Sequence, residues 1–219
     1  MGHHRVQELR RHGPDVYELV LERNDLAFEI GDCLALHNEA AAQSRPYSIA
    51  SGQDEDSLRF VIRRMVGGVV SPHLCELRNG DSVKVNPPFG WFRPGACGEN
   101  APFVFIATGT GIAPFLSYLR TPQRPAPVRC LYGVRALHDV VERDWLASQC
   151  ELGLAISRED SPGVHRGRVT ELLSDLPETP DLHVYLCGLD TMIDEVSDWF
   201  ENRGLHHTQI HREVFFHSA

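Results

Sequence analysis

Apolar and polar residues alternate in the first half of the chain, as they do in strands that are buried on one face. Such strands are predicted at residues 16–22, 33–37, 45–50 and 57–65, with another around Val83 and Val85. Ser71 is a suitable N-cap for a short helix that continues to Leu77. Several short strands with one short helix predict an antiparallel β-barrel.

The second half changes period, because an unbroken apolar run at residues 103–107 is typical of a strand buried on both faces. Strands are predicted near residues 103–107, 130–132, 154–156, 184–186 and 210–216, and helices near 112–120, 140–148, 170–176 and 191–202. This alternation predicts an α/β domain with a parallel sheet. The Gly- and Pro-rich residues 94–102 mark a boundary, so we expect a barrel domain over residues 1–97 and an α/β domain over residues 98–219.

Composition narrows the functional classes. The 219 residues carry a net charge of -9, which argues against a dedicated nucleic-acid-binding protein. Lys84 is the only lysine, and the abundant arginines suit local sites for phosphate. Residues 1–5 precede no apolar core, and no apolar run reaches the roughly 18–20 residues of a membrane span, so we expect no secretory signal, no membrane span and a cytoplasmic location.

The six cysteines are too widely spaced for a zinc or iron–sulfur site, and we expect them to be reduced and to hold no metal. His206, His207 and His211 resemble metal ligands in number, but a loop leading into a strand explains them more simply. The three tryptophans are expected to be packing residues: Trp91, Trp145 and Trp199.

Three segments of the second half follow predicted strands, and ligands of parallel sheets bind at that end. Glycines in the first segment allow close approach of backbone N–H groups to a phosphate, although a tight turn explains them equally well. The second could clamp a phosphomonoester or be a solvated loop, and the cysteine of the third could equally be an inert core residue. These candidates are Thr108, Gly109, Thr110 and Gly111, then Ser157, Arg158, Arg166 and Arg168, and then Cys187 with Gly188.

The barrel half has two candidates of its own. On a strand, Arg45 and Tyr47 share one face and Ser48 lies on the other, so the tyrosine ring could stack on a flat cofactor beside an arginine that binds phosphate. Gly68 and Ser71 belong to a glycine turn before a helix, which suits a pyrophosphate. The alternatives are an ordinary aromatic residue and a plain capped helix.

Together, these segments resemble the ferredoxin–NADP⁺ reductase family of two-domain flavoproteins, in the family's order. Arg45-Pro46-Tyr47-Ser48 is similar to its flavin motif, and Gly68-Val69-Val70-Ser71 to its pyrophosphate turn. Residues 108–114 are similar to the family's nucleotide-binding motif. The C-G-x-x-x-M motif is similar to Cys187-Gly188 with Met192, and the terminal E-x-[FYW] motif to Glu213-Val214-Phe215.

The resemblance implies FAD and NADP(H) as cofactors, with NAD(H) as the alternative, and one role for each matching residue. Tyr47 would stack on the isoalloxazine, Ser48 would hydrogen-bond near its N5, and Glu213 would tune that hydrogen-bond network. Phe215 would cover the far flavin face and yield to the nicotinamide, which Cys187 and Gly188 would border. Phosphate binding would fall to Arg45, Gly68 and Ser71 for FAD, and to Thr108, Gly109, Thr110, Gly111, Ser157, Arg158 and Arg166 for the nucleotide.

The function implied is electron transfer from NADPH through FAD to a separate one-electron carrier, such as ferredoxin, flavodoxin or an oxygenase component. The alternatives are a free-flavin reductase and an electron-transfer subunit of a larger complex. Arg166 and Arg168 stand where the family often has Lys-x-Tyr, so positive charge is kept without the ring. Arg63 and Arg64 are candidates for docking an acidic ferredoxin, and the residues leave the acceptor and the oligomeric state open.

Overall fold

The computed structural model describes residues 1–98 and 101–216, without the side chain of Phe216. The chain forms two compact units. The first comprises Met1–Arg93 and Ala113–Arg124, and the second comprises Pro94–Ile112 and the residues from Pro125 onward. The functional division at residue 97 stays a prediction.

The first unit is a nearly closed antiparallel barrel, which confirms the predicted class. Its sheet has the order β4-β3-β6-β1-β2-β5. The gap between the end strands is narrowed by the N–H of Ala50, which donates to the carbonyl of Arg59 at 2.8 Å. The elements are β1 (Gly2–Arg11), β2 (Val16–Glu22), β3 (Cys33–Asn38), β4 (Gln43–Ser48), β5 (Ser57–Arg63), α1 (Val70–Leu74) and β6 (Ser82–Val85).

Three details of the first unit differ from the sequence-based expectations. Strand β1 was not predicted, because its buried residues include a polar one, His4, whose Nδ1 lies 2.7 Å from the Glu22 carbonyl. Ser71 is not the N-cap of α1, since the cap position is Val69 and Ser71 lies inside the helix. Trp91 is 97% exposed, so its interpretation as a packing residue was wrong.

A buried carboxylate links three strands of the barrel. Glu18 is 2% exposed and accepts hydrogen bonds from Arg10 and Arg59, both at 3.1 Å. Arg59 also binds Glu55, which in turn pairs with Arg120 at 3.0 Å. Burial by itself would raise the pKa of Glu18, but contacts with His12 and Arg59 and the charge of Arg10 outweigh it and lower the pKa to about 2.

The second unit is a six-stranded parallel sheet, as predicted, with the order β10-β9-β8-β7-β11-β12. Residues 169–175 form 3-10 turns where an α-helix was predicted, and the short strand β10 was not predicted. The strands are β7 (Phe103–Thr108), β8 (Arg129–Val134), β9 (Leu152–Ile156), β10 (His165–Arg166), β11 (His183–Leu189) and β12 (Ile210–Phe216). The helices are α2 (Ala113–Arg120), α3 (Arg143–Gln149) and α4 (Asp190–Glu201), of which α2 belongs to the first unit.

The strand order of the second unit reverses between β7 and β11. Strands β8 and β9 extend from one side of β7, while β11 and β12 extend from the other. Such a reversal leaves a crevice at the carboxyl ends of the two strands, where parallel sheets bind their ligands. The predicted nucleotide turn at Gly109–Ile112 follows β7, and Gly188 lies near the end of β11, so both occupy this switch point.

Candidate cofactor-binding sites

The predicted flavin residues lie on an edge strand. Strand β4 pairs in the sheet only with β3, where Tyr47 faces Leu34 and Ser48 faces Cys33. Arg45 and Pro46 are exposed, Tyr47 is partly buried and Ser48 is buried. Proline is tolerated on edge strands because its missing N–H breaks no ladder bond there. The outer edge of β4 therefore offers polar side chains and one aromatic ring to a ligand.

The two residues at the end of β4 are held in different ways. Ser48 Oγ lies 3.2 Å from the Sγ of Cys33, its partner across the ladder. Tyr47 packs at the margin of the barrel core. Burial, with a smaller contribution from Cys75 and an opposing one from Arg45, raises the pKa of Tyr47 well above its usual range. The phenol is therefore uncharged at any physiological pH.

The predicted pyrophosphate turn lies close to the same strand, because α1 contacts both β3 and β4. The N–H of Gly68 donates to the carbonyl of Met65, and Ser71 Oγ accepts the N–H of Met65, both at 3.0 Å. Asn38, at the end of β3, donates to the Val69 carbonyl at 2.9 Å. The first-turn N–H groups of a helix lack intrahelical acceptors. Helix α1 thus lies beside β4, and the turn that leads into it carries Gly68, which the sequence predicts to bind the pyrophosphate together with Ser71.

In the second unit, two glycines allow the ends of β7 and β11 to approach each other. A Cβ on Gly111 would overlap the Cys187 carbonyl. A Cβ on Gly188, whose φ is +138°, would collide with the side chain and backbone of Thr108. The hydroxyl of Thr108 accepts the N–H of Leu189 at 2.9 Å, which ties the two strand ends together. Thr110 is buried in the adjoining turn.

Cys187 and Glu213 meet at the same end of the sheet. They are partners in the parallel ladder of β11 and β12, and the Cys187 thiol donates to a Glu213 carboxylate oxygen at 3.8 Å. Cys187 is fully buried, whereas Glu213 is partly exposed. The resemblance implied separate roles for these residues, and the contact between them comes from the strand register.

Phe215 occupies an irregularity of β12. Gly188 pairs with Val214, but the next residue of β11, Leu189, pairs with Phe216. Phe215 is therefore an extra residue in the ladder, and such bulges redirect side chains next to functional sites. The chain continues past Phe215 with an extension over residues 216–219 that can change which aromatic ring shields the flavin, and apart from the backbone of Phe216 this extension lies outside the described residues.

The predicted 2′-phosphate residues follow strand β9, and a second arginine lies next to them. Ser157 Oγ donates to the Val134 carbonyl at 3.3 Å, and the backbone N–H of Arg158 donates to the Arg135 carbonyl at 3.0 Å. Arg135 and Arg158 are both exposed at the carboxyl ends of adjacent strands. We did not predict Arg135, although its place directly after the apolar run of β8 was a usable signal.

Other predicted cations have partners in the structure. Arg166 pairs with Asp160 at 3.0 Å, and Arg168 pairs with Glu195 at 3.1 Å. Both ion pairs are exposed, and such pairs exchange easily for a stronger anion. The two arginines predicted to dock an acidic ferredoxin are not both available to a partner. Arg63 is partly buried, and Arg64 pairs with Glu76 at 2.8 Å.

The three histidines near the carboxyl terminus do not form one cluster. His206 contacts Thr208 at 2.8 Å and the ring of His207, whereas His211 lies 3.0 Å from His183. Over the described ranges, no three His, Cys, Asp or Glu side chains are arranged to hold a metal ion. No helix in the part of the chain that the structure describes is long and apolar enough to cross a membrane.

Comparisons with known families match both units. Residues 10–93 match the oxidoreductase FAD-binding domain, and residues 105–198 match the oxidoreductase NAD-binding domain. The chain therefore carries an FAD-binding and an NAD-binding domain, and the edge strand with its glycine turn and the crevice at the switch point fit these two groups.

Curated relatives span nearly the whole chain. The ferredoxin–NADP reductase B of Sorangium cellulosum is 33% identical over 218 residues, covering 89% of this chain and 88% of that protein. The toluate 1,2-dioxygenase electron transfer component of Pseudomonas putida is 30% identical over 90% of this chain, but only 61% of that protein is covered. The chain thus spans about three fifths of the length of several relatives that it matches.

Solved structures agree with this assignment. A cytochrome P450 reductase from Amycolatopsis has a TM-score of 0.86 at 28% identity, covering 98% of this chain and 69% of that one. A ferredoxin NADP⁺ reductase from Neisseria gonorrhoeae, solved with FAD and NADP, has a TM-score of 0.88 and covers 98% of each chain; at 23% identity it shows the fold. This chain matches both the FAD-binding and the NAD-binding domain models, and it aligns with most of the length of a ferredoxin–NADP reductase at 33% identity. It therefore belongs to the ferredoxin–NADP⁺ reductase family.

Proposed function

We propose that this protein is an FAD-dependent oxidoreductase that takes electrons from NADPH and passes them to a separate one-electron carrier protein. The observation that carries the proposal is the contact of Cys187 with Glu213 beside the tight glycine turn at the switch point. When bound, FAD accepts a hydride from a reduced nicotinamide and releases electrons singly, which joins a two-electron donor to a one-electron carrier.

On the barrel side, the proposed work of the residues is binding and orientation. Tyr47 supplies a flat, uncharged ring for the isoalloxazine, and Ser48 a hydroxyl for hydrogen bonding near N5. Arg45, Gly68 and Ser71 supply the charge and the donors for the pyrophosphate. The open edge of β4 and the neighbouring turn support these roles.

On the nucleotide side, backbone donors of Gly109, Thr110 and Gly111 hold the pyrophosphate, while Thr108 fixes the strand ends. Cys187 and Gly188 border the nicotinamide. The Glu213 carboxylate accepts a hydrogen bond from the Cys187 thiol, and Cys187 positions the ring without acting as a nucleophile. We assign Phe215 to covering the flavin face, and its bulged position supports a side chain that can be displaced.

The preference for NADPH over NADH rests on Ser157, Arg158 and Arg166, joined now by Arg135. Two exposed arginines that follow adjacent strands suit a phosphomonoester, because guanidinium groups donate two parallel hydrogen bonds to phosphate. Strand spacing places β9 about 14 Å from β11, three steps of about 4.8 Å, which separates a phosphate-binding end from a nicotinamide end.

The acceptor is a redox protein of the kind named for the relatives, either a ferredoxin or an oxygenase component. Relatives include the reductase subunit of an aromatic O-demethylase, 31% identical, and this supports the second candidate function, a reductase component of a larger oxygenase system. Docking of an acidic ferredoxin at Arg63 and Arg64 is weakened, because Arg64 already pairs with Glu76 and the protein carries a net charge of -9. A cytoplasmic location is supported by six free thiols.

The test is spectroscopic. Purified protein, reconstituted with FAD and passed through a desalting column, is expected to stay yellow and to bleach under nitrogen when NADPH is added. A protein that retains no FAD would contradict the proposal in favour of a free-flavin reductase. Faster bleaching by NADH than by NADPH would reverse the nucleotide preference. If the reduced protein transferred no electrons to ferredoxin, flavodoxin or an oxygenase, the proposed transfer to a separate carrier protein would be contradicted.

A further inference from the structure

Two cysteines of the second unit lie next to each other away from the proposed cofactor residues. Cys130 lies on β8, and Cys150 follows α3 just before β9 begins. The Cys130 N–H donates to the Glu151 carbonyl at 2.9 Å, and Cys130 is the ladder partner of Leu152. Since residues two apart on an extended chain share a face, Cys150 lies on the same face as Leu152 and Cys130.

The two side chains are neighbours where β8 and β9 pair, and each acts on the titration of the other. Their surroundings differ, because Cys130 is fully buried while Cys150 is partly exposed at the end of α3. Cys150 Sγ also lies 3.6 Å from the Leu146 carbonyl. Cys150 is therefore the more accessible residue of the pair, and Cys130 lies in the core.

Each thiol changes the pKa of the other. The interaction with Cys130 lowers the pKa of Cys150 despite its partial burial. The interaction with Cys150, together with burial, raises the pKa of Cys130 far above its usual range. The difference in exposure makes Cys150 the thiol that a small reagent reaches first.

We propose that Cys150 and Cys130 form a reversible disulfide, with Cys150 as the peroxide-reactive sulfur and Cys130 as the resolving one. The Cys150 thiolate attacks a hydroperoxide: an S–O bond forms, the O–O bond breaks and the leaving oxygen takes a proton. Cys130 then attacks the sulfenic acid, the S–S bond forms, and the displaced hydroxyl leaves as water with the Cys130 proton. Two thiols are oxidised, and one hydroperoxide is reduced.

Cys150 is the member of the pair that can move to form the bridge. A disulfide needs Cβ atoms about 3.5–4.5 Å apart. Cys150 is the C-cap of α3 and lies outside β9, so it can shift without breaking a strand ladder. The bridge joins the end of α3 to a central strand, and we expect it to raise the thermal midpoint of the second unit.

The test is peptide mapping of the FAD-loaded protein after brief treatment with hydrogen peroxide. Cleavage after Arg129, Arg135, Arg143 and Arg158 places the two cysteines on different peptides, residues 130–135 and 144–158. We expect these peptides to become linked, two of the six thiols to resist alkylation, and dithiothreitol to reverse both changes. Cys150 should lose its thiol about tenfold faster than Cys97, another partly exposed cysteine.

Variants separate this pair from general oxidation. Cys97→Ser should link the two peptides as the unchanged protein does, whereas Cys150→Ser should leave Cys130 alkylatable. With Cys130→Ser, Cys150 should stop at the sulfenic acid, trapped by dimedone. Because Cys130→Ser can impair folding, the linked peptide in the unchanged protein decides the matter. Six alkylatable thiols after treatment, or Cys150 oxidised to sulfinic acid beside an intact Cys130, would overturn the proposal.

Discussion

The proposed flavin residues Arg45, Tyr47 and Ser48 lie on β4, an edge strand with exposed side chains, whereas the proposed nucleotide turn lies where the backbones of β7 and β11 meet. On β4, Arg45 and Pro46 are exposed and Tyr47 is only partly buried. At the switch point, Gly111 and Gly188 leave no space for a Cβ. In the proposed function, the first region would present side chains to its ligand, and the second would present backbone.

Because of this difference, substitutions in the two regions should affect the stability of the fold and the affinity for cofactors to different extents. A side chain on an exposed edge can be changed without much effect on folding, so its loss should reduce cofactor affinity alone. Glycines at a close backbone contact support both the strand ends and the ligand, so substitution should affect folding and binding together. The variants below test this contrast, from the largest expected effect to the smallest.

Gly188→Ala is expected to have the largest effect. The new methyl would meet the side chain and backbone of Thr108, at a φ of +138° that other residues rarely adopt. We expect a loss of about 3 kcal/mol in the free energy of unfolding, together with weaker NADPH binding. Thermal unfolding and nucleotide titration measure the two effects. Gly163→Asn is the matched control, since its φ is +72° in open space; equal losses in both variants would contradict steric control at Gly188.

Glu18→Gln tests a barrel residue outside both cofactor regions. The folded-state pKa of about 2 lies below the ordinary value of 4.5, so the ionised carboxylate stabilises the fold above about pH 4.5, and this stabilisation is lost as the pH falls through 2. We expect Glu18→Gln to cost about 3 kcal/mol at pH 7 and the difference to vanish near pH 2. Denaturant unfolding at several pH values measures it.

The control for Glu18 is Glu76→Gln. Glu76 pairs with Arg64 at 2.8 Å, but its side chain is 66% exposed, so the pair is screened by solvent. We expect a loss below about 1 kcal/mol at all pH values. If both glutamate variants lost the same stability, burial of Glu18 would not be the source of its effect.

Local sequence patterns predicted most strands and the places of the glycine turns. They worked because an apolar run such as residues 103–107 reports burial directly, and because ligand turns follow strand ends. Strand β1 was missed because an interior strand of the barrel can bury His4 through one hydrogen bond to Glu22, without an apolar pattern. Trp91 was misjudged because a large aromatic residue carries no local signal of its exposure.

The contacts within the candidate sites were less predictable than their residues. Cys187 and Glu213 meet because β11 and β12 pair in one register, and Phe215 is displaced because that register shifts after Gly188. Such pairings join distant segments and depend on the whole sheet. Arg135 approaches Arg158 for the same reason, through a bond between the ends of two adjacent strands.

Tyr47→Ala tests the edge-strand side of the comparison. Removing the ring should weaken FAD binding about 30-fold, or about 2 kcal/mol, because stacking on an aromatic ring is lost. The cost to the free energy of unfolding without FAD should be smaller, since Tyr47 lies at the margin of the barrel core. Tyr47→Phe should bind FAD as the unchanged protein does at every working pH, because burial keeps the phenol uncharged. A greater loss of stability than of affinity would remove the contrast with Gly188.

Arg158→Ala should give the smallest effect and the most selective one. Its exposed side chain supports no fold contact comparable to Gly188, while its guanidinium would bind the 2′-phosphate that distinguishes NADPH from NADH. We expect KM for NADPH to rise about tenfold, KM for NADH to change little and the thermal midpoint to stay constant. Arg135→Ala should change KM for NADPH in the same direction, and Arg166→Ala should have less effect than Arg158→Ala because Asp160 already pairs with Arg166. Equal changes in KM for both nucleotides would place the 2′-phosphate elsewhere, and a lowered thermal midpoint would mean that exposed strand-end residues also support the fold.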